Sequence, residues 1–262
     1  MKNRNILLTA VAALVITAAC VSPVAAQGGG DDYYKAEFAA GYSHARAAST
    51  FESETALIPE EGPLTTRYCA QEGRDSFGAD FQRFFCERKG MNGFDASATF
   101  NFGRYVGVKG NVSAHFNSQS FSDTFDVGEG QTFTANVNTR ERLYQFLAGV
   151  QVKDNAREGR AVRPFAHALA GVARQTVRFS MPPSEGSDGF DARADETSFA
   201  LKLGGGLDVR LSERVALRLV EVNYNPIFAR DRPLAGQGIT VPITVSGRTA
   251  HNFTVGVGIV FH

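Results

Sequence analysis

Tryptophan is absent from the 262 residues, cysteine occurs three times, and the charges cancel, with 27 Lys and Arg against 27 Asp and Glu. A balanced chain lacks the broad basic face of a dedicated nucleic-acid binder, so no nucleic-acid partner is expected. The five histidines are scattered. No Cys/His set has metal-ligand spacing, so no metal, cofactor or catalytic residue is assigned. After the N-terminal segment, no run approaches the ~20 apolar residues of a transmembrane helix. Any membrane span must therefore be built of strands closed into a barrel, since an open edge leaves N–H and C=O groups unpaired in lipid.

The chain begins with basic Lys2 and Arg4, continues with an apolar run from Ile6 to Ala19, and reaches Ser22-Pro23-Val24-Ala25-Ala26-Gln27. A basic start, a short apolar stretch and small residues before the cut describe a secretory signal peptide over 1–26, leaving one domain over 27–262. Thr17-Ala18-Ala19-Cys20 loosely resembles a lipoprotein box, with Thr17 where Leu, Val or Ile is usual. Lipidation of Cys20 is the alternative to its removal. Cys69 and Cys86 then form an even pair in an exported chain, read as one disulfide. Such a bridge stabilises by roughly 3 kcal/mol for a loop of that size.

What is present is alternation. Phe253, Val255, Val257, Ile259 and Phe261 fall on every second position, opposite Thr254, Gly256, Gly258 and the apolar exception Val260. Successive side chains of a strand point to opposite faces, so one face is apolar and the other small or polar. Seven earlier segments repeat the pattern: 34–43, 94–102, 106–116, 144–153, 163–179, 199–210 and 215–224. In the seventh the phase changes near Leu219, which predicts a β-bulge there. The links after segments two, four and six are short, whereas Ser43 to Met91, Asn117 to Arg140, Ser180 to Thr197 and Pro226 to Thr249 read as long polar loops. Eight strands with alternately short and long links describe an up-and-down antiparallel transmembrane β-barrel. A lipocalin-like soluble binder has the inverse facing. Aromatics near strand ends on the apolar face (Tyr42, Phe102, Phe116, Tyr144, Phe253 among them) favour the membrane form, where they make interfacial girdles.

On these segments the chain resembles the small eight-stranded outer-membrane β-barrels of the OmpA/OmpX-like, porin-type group, across nearly the whole mature chain. The resemblance implies residence in the cell outer membrane, contact with its lipid, and delivery by the barrel-assembly machinery. It also implies a C-terminal assembly signal matched by Gly256, Ile259 and Phe261, followed unusually by His262.

An eight-stranded barrel has an interior just wide enough for side chains to fill. Glu37, Lys109, Lys202, Asp208, Arg210, Arg218 and Glu221 lie on the polar face and are expected to pair and plug the lumen. The expected role of such a monomer is structural or surface-interactive, with an extracellular partner engaged through loop 44–90. The alternative is a narrow pore for ions or small solutes. A lipid-modifying enzyme is disfavoured: Ser113 and His115 share a strand face without a carboxylate, and His167, read as facing lipid, lacks a serine.

Overall fold

The structure, a computed structural model, describes residues 32–48, 54–58, 62–64, 86–128, 131–182, 189–230, 232–234, 243–247 and 249–262. The expected signal peptide, Cys20, Cys69 and most of loop 44–90 lie outside these residues. Cys86 is disulfide-bonded, but its expected pairing with Cys69 falls outside them as well. No helix among the described residues is long and apolar enough to cross a membrane. The chain crosses with strands.

Eight antiparallel strands close into a barrel: β1 (Ala36–Ala47), β4 (Lys89–Asn101), β5 (Val106–Gly128), β6 (Gln131–Lys153), β7 (Val162–Met181), β8 (Phe190–Arg210), β9 (Val215–Phe228) and β12 (Thr249–Phe261). Each expected segment falls within or largely overlaps one of them. Closure occurs between β1 and β12, in register from Phe38 opposite Phe261 to Arg46 opposite Phe253. At Leu219 the ladder slips one residue against β8, where Leu207 faces Val220 but Asp208 faces Arg218. The slip against β12 falls at the same point. It converts the inward set Ala216 and Arg218 into Glu221, Asn223 and Asn225, which explains the change of phase.

Alternation sets two surfaces. Phe38, Tyr42, Phe94, Val108, Val150, Leu203, Val255 and Ile259 are exposed on the outer wall, as an apolar band facing lipid requires. The inner wall carries the buried polar and charged side chains. The short links 102–105, 154–161 and 211–214 mark the periplasmic end by the usual asymmetry of such barrels. Two of them are tied by Arg104, whose Nε and Nη2 donate to Asp154 Oδ1 and Oδ2 at 2.8 and 2.9 Å. The Arg104 guanidinium holds the Asp154 carboxyl down to about 2. A depressed carboxylate contributes stability above its ordinary pKa and loses it as pH falls toward 2. Because the pair stands in water, Asp154→Asn is expected to cost less than about 1 kcal/mol at neutral pH, read as a small shift in the urea midpoint that shrinks as pH falls through about 2.

At the opposite end the structure corrects the expected loops. Asn117 to Arg140 is not a loop: β5 and β6 run on as a paired hairpin from Phe116 opposite Arg142 to Gly128 opposite Gln131. Likewise β7 and β8 stay paired to Met181 opposite Phe190, so most of Ser180 to Thr197 is strand. Four strands thus continue past the apolar band. Within the other two links, β2 (Glu54–Ile58), β3 (Gly62–Leu64), β10 (Arg232–Leu234) and β11 (Ile243–Gly247) form a separate sheet in the order β10-β11-β2-β3. It joins the β1–β4 link to the β9–β12 link through β11 and β2.

Candidate functional site in the barrel lumen

The inward positions build a filled lumen, layer by layer. Nearest the periplasmic end, Asp208, wholly buried, accepts from Lys153 Nζ at 2.8 Å and from Arg218 Nε and Nη2 at 2.8 and 3.1 Å. Lys153 also donates to Glu37 Oε1 at 2.7 Å, and Arg218 Nη1 to Glu221 Oε2 at 2.7 Å. Two carboxylates therefore flank a central one through two cations. Such a chain offsets the cost of burying charge, because every ion has a partner and further hydrogen bonds.

The phenyl ring of Phe165 lies within this network, with the Arg218 guanidinium 4.2 Å and the Lys109 ammonium 5.4 Å from its centroid. Lys109 Nζ also donates to His167 Nδ1 at 3.4 Å, and His167 Nε2 stands 2.8 Å from Asn223 Oδ1. The ring's negative face thus supplements the polar atoms around these cations. Glycine at 206 makes room for this ring: a Cβ there would meet Phe165 Cζ at 2.9 Å and Val220 O at 2.0 Å.

Further out, Lys202 Nζ bridges Asp95 Oδ2 at 2.8 Å and Asn111 Oδ1 at 2.7 Å. Four cations (Lys109, Lys153, Lys202, Arg218) then match four carboxylates (Glu37, Asp95, Asp208, Glu221), while the buried Arg163 at the periplasmic mouth donates to the Ala156 and Arg160 carbonyls. A cavity lined by Gly41, Ser43, Asp95, Arg218, Glu221, Asn223, Gly256 and Gly258 lies against the seam.

Above the charges an apolar cluster joins the filling of the lumen. Ala45, Ala47, Met91, Leu143, Leu147, Leu169, Ala173, Ala200 and Ile227 pack together and are buried. On each strand they stand nearer the outer end than the network residues. Beyond them Lys89 and Glu141 form a further buried ion pair. Buried Ser113, Gln145 and Asn225 are interleaved with this cluster, and the close filling leaves a hydrated ion no open path, since stripping its water without replacement is costly.

Six of the seven expected lumen residues meet in this network. Arg210 does not: it stands at the end of β8, partly exposed, and its Nη1 donates to the Arg157 carbonyl at 2.5 Å in the turn 154–161. A long side chain at a strand end reaches water and turn carbonyls more cheaply than the lumen. His167 faces the lumen, not lipid, because β7 buries its odd positions. Lys153, Asp95 and Phe165 were not among the expected set. Toward the outer end the filling also includes uncharged side chains, both apolar and polar.

Ser113 donates to Gln145, and Gln145 to Asn225. His115 Nε2 is instead 2.9 Å from Ser43 Oγ, while its Nδ1 has no partner. A serine and a histidine without an orienting carboxylate, 4% and 1% exposed, lack both the third member and the access that hydrolysis needs. At the periplasmic mouth the His262 imidazole turns inward, stacks on Tyr34 at 4.1 Å and lies 3.4 Å from Glu37 Oε1. His262→Ala is expected to lower stability by about 1 kcal/mol through the lost stacking, measured as a urea midpoint of the folded barrel.

The family model of the outer membrane protein beta-barrel domain matches residues 11–261. The chain belongs to that family. It is an outer-membrane protein. No curated protein matches it. Among solved structures it is similar to Ail, the attachment invasion locus protein of Yersinia pestis, at 12% identity over 87% of this chain and 100% of that one, with a TM-score of 0.36. Neisserial surface protein A matches at 11% identity, 87% and 97% coverage and a TM-score of 0.40. OprG from Pseudomonas aeruginosa matches at 15%, 89% and 100%, and 0.41. Nothing about function follows from likenesses this distant.

Proposed function

We propose that this barrel is a non-conducting, monomeric membrane anchor that presents a surface-interaction module, and that it is not an enzyme. The observation carrying the reading is the continuation of β5 to β8 beyond the apolar band as a paired sheet. From Phe116 to Gly128 alone the strand extends about 40 Å along its axis. Two-layered filling of the lumen argues against the alternative, a narrow pore. In this reading the β10-β11-β2-β3 sheet and the remainder of loop 44–90, with the Cys69–Cys86 bridge, complete the outer surface. Residues 1–26 serve as the signal peptide. Gly256, Ile259 and Phe261 serve the barrel-assembly machinery. Gly256 faces the cavity, and Ile259 and Phe261 face lipid.

Replacing residues 119–137 by a short turn, and separately deleting 52–88, tests this. Both variants are expected to insert, scored by the gel shift that a folded barrel shows between unboiled and boiled samples. Adhesion of expressing cells to an epithelial monolayer and their settling in suspension are expected to fall. Full adhesion and settling in both variants would refute the surface role.

A further inference from the structure

Above the lipid-facing band, the outer wall of β6, β7 and β8 carries five exposed arginines: Arg140, Arg142, Arg174, Arg178 and Arg193. Across the strands Arg140 stands directly opposite Arg178, and Arg178 directly opposite Arg193. Like charges placed opposite each other in a sheet repel, so this arrangement costs stability unless an anion is shared among them. On this face Asp191 and Asp195 are the nearby carboxylates. Asp191 is held by Arg178 and Asp195 by Arg193. Arg140 and Arg142 form no ion pair or side-chain hydrogen bond among the described residues, and Arg174 acts on Asp195 through its charge alone, without a contact ion pair.

Height on the wall narrows the choice of anion. Arg174 shares a cross-strand row with Tyr144, one row above Phe146, Val172 and Phe199, which face the acyl chains. Arg142 lies one row higher and Arg140 another. At about 7 Å per row along strands tilted ~40°, these rows span about 10 Å of depth, from the edge of the acyl chains across the polar headgroup zone. All three side chains are exposed on the outward faces of their strands. Arginine matches phosphate oxygens with paired N–H donors, which a carboxylate-poor, multiply basic patch suits. We infer that the outer wall of β6–β8 is a binding site for the phosphate groups of an anionic lipid headgroup in the outer leaflet. This site is independent of the surface role proposed above.

The full chain, purified as a folded barrel in neutral detergent, is incubated with a bis-phosphorylated diglucosamine lipid or with the same lipid after removal of its phosphates. Bound lipid is counted by native mass spectrometry. The unaltered barrel is expected to retain the phosphorylated form at least about ten times better, a preference that weakens with salt. Arg140→Gln/Arg142→Gln/Arg174→Gln is expected to abolish that preference, while Arg157→Gln/Arg160→Gln at the periplasmic end keeps it. Should the triple variant not fold, the single variants Arg142→Gln and Arg174→Gln are each expected to weaken it severalfold. The inference is overturned if the phosphates make no difference to the unaltered barrel, or if none of these outer-wall variants changes the preference. It is equally overturned if soluble inositol hexakisphosphate displaces the lipid at equal concentration, for the patch then serves a soluble polyanion.

Discussion

Asp208→Asn is expected to lower the stability of the folded barrel by about 3–5 kcal/mol, the range for breaking a buried ion network while leaving its partners in place. Asp208 is wholly buried and is shared by Lys153 and Arg218. The amide is nearly isosteric, so packing is preserved and the loss is electrostatic. Lys153 keeps only Glu37 and Arg218 keeps only Glu221 as charged partners, and the network of four cations and four carboxylates gains one uncompensated positive charge. Urea titration of the barrel folded in lipid vesicles measures the effect. The double variant Lys153→Met/Asp208→Asn removes the surplus cation and is expected to recover part of the loss, with a coupling of about 1–3 kcal/mol. A single variant within about 1 kcal/mol of the unaltered chain would mean that water or mobile ions, not these side chains, occupy the interior.

The second large effect concerns closure. Gly41 stands opposite Gly258 across the β1–β12 seam. A Cβ at position 41 would lie 2.0 Å from the Val257 carbonyl oxygen and 2.6 Å from Gly258 Cα. Both obstacles are backbone, which cannot rotate away as a side-chain tip does. Gly41→Val is therefore expected to cost about 3 kcal/mol or more, at or above the upper end of ordinary overpacking, and to leave most of the protein without the folded-band gel shift. Gly110 is the control. A Cβ there meets nothing closer than the Ala98 carbonyl oxygen at 4.0 Å, so Gly110→Ala is expected to change stability by less than about 0.5 kcal/mol. Equal folding yields for the two variants would contradict the tight seam.

Legibility in the sequence followed the environment of each segment. Where one face meets lipid and the other the lumen, period-two contrast is strong, and Phe199 to Arg210 or Phe253 to Phe261 could be assigned with their facing. Past the apolar band both faces of β5 to β8 carry mostly polar residues, the contrast fades, and paired strands read as polar loops. In β7 the lipid-facing Ala166, Ala168 and Ala170 are too small to mark a face, so the inward Phe165 and His167 escaped. The apolar layer left one trace: Leu143, Tyr144, Phe146, Leu147 and Ala148 interrupt alternation on β6, because apolar residues there occupy both faces. Arg210 was misplaced since polarity and phase alone do not reveal that a strand is ending. The opposed arginines were beyond reach, as cross-strand register is a property of the folded sheet.

The central claim is that this outer-membrane barrel is closed through its lumen by side chains, and single-channel recording tests it most directly. Purified, folded protein is added to a planar lipid bilayer in molar salt, with insertion verified by the gel shift of protein recovered from the same preparation. The filled lumen predicts a baseline without stable open levels. Reproducible conductance steps of uniform size from the unaltered chain would contradict it.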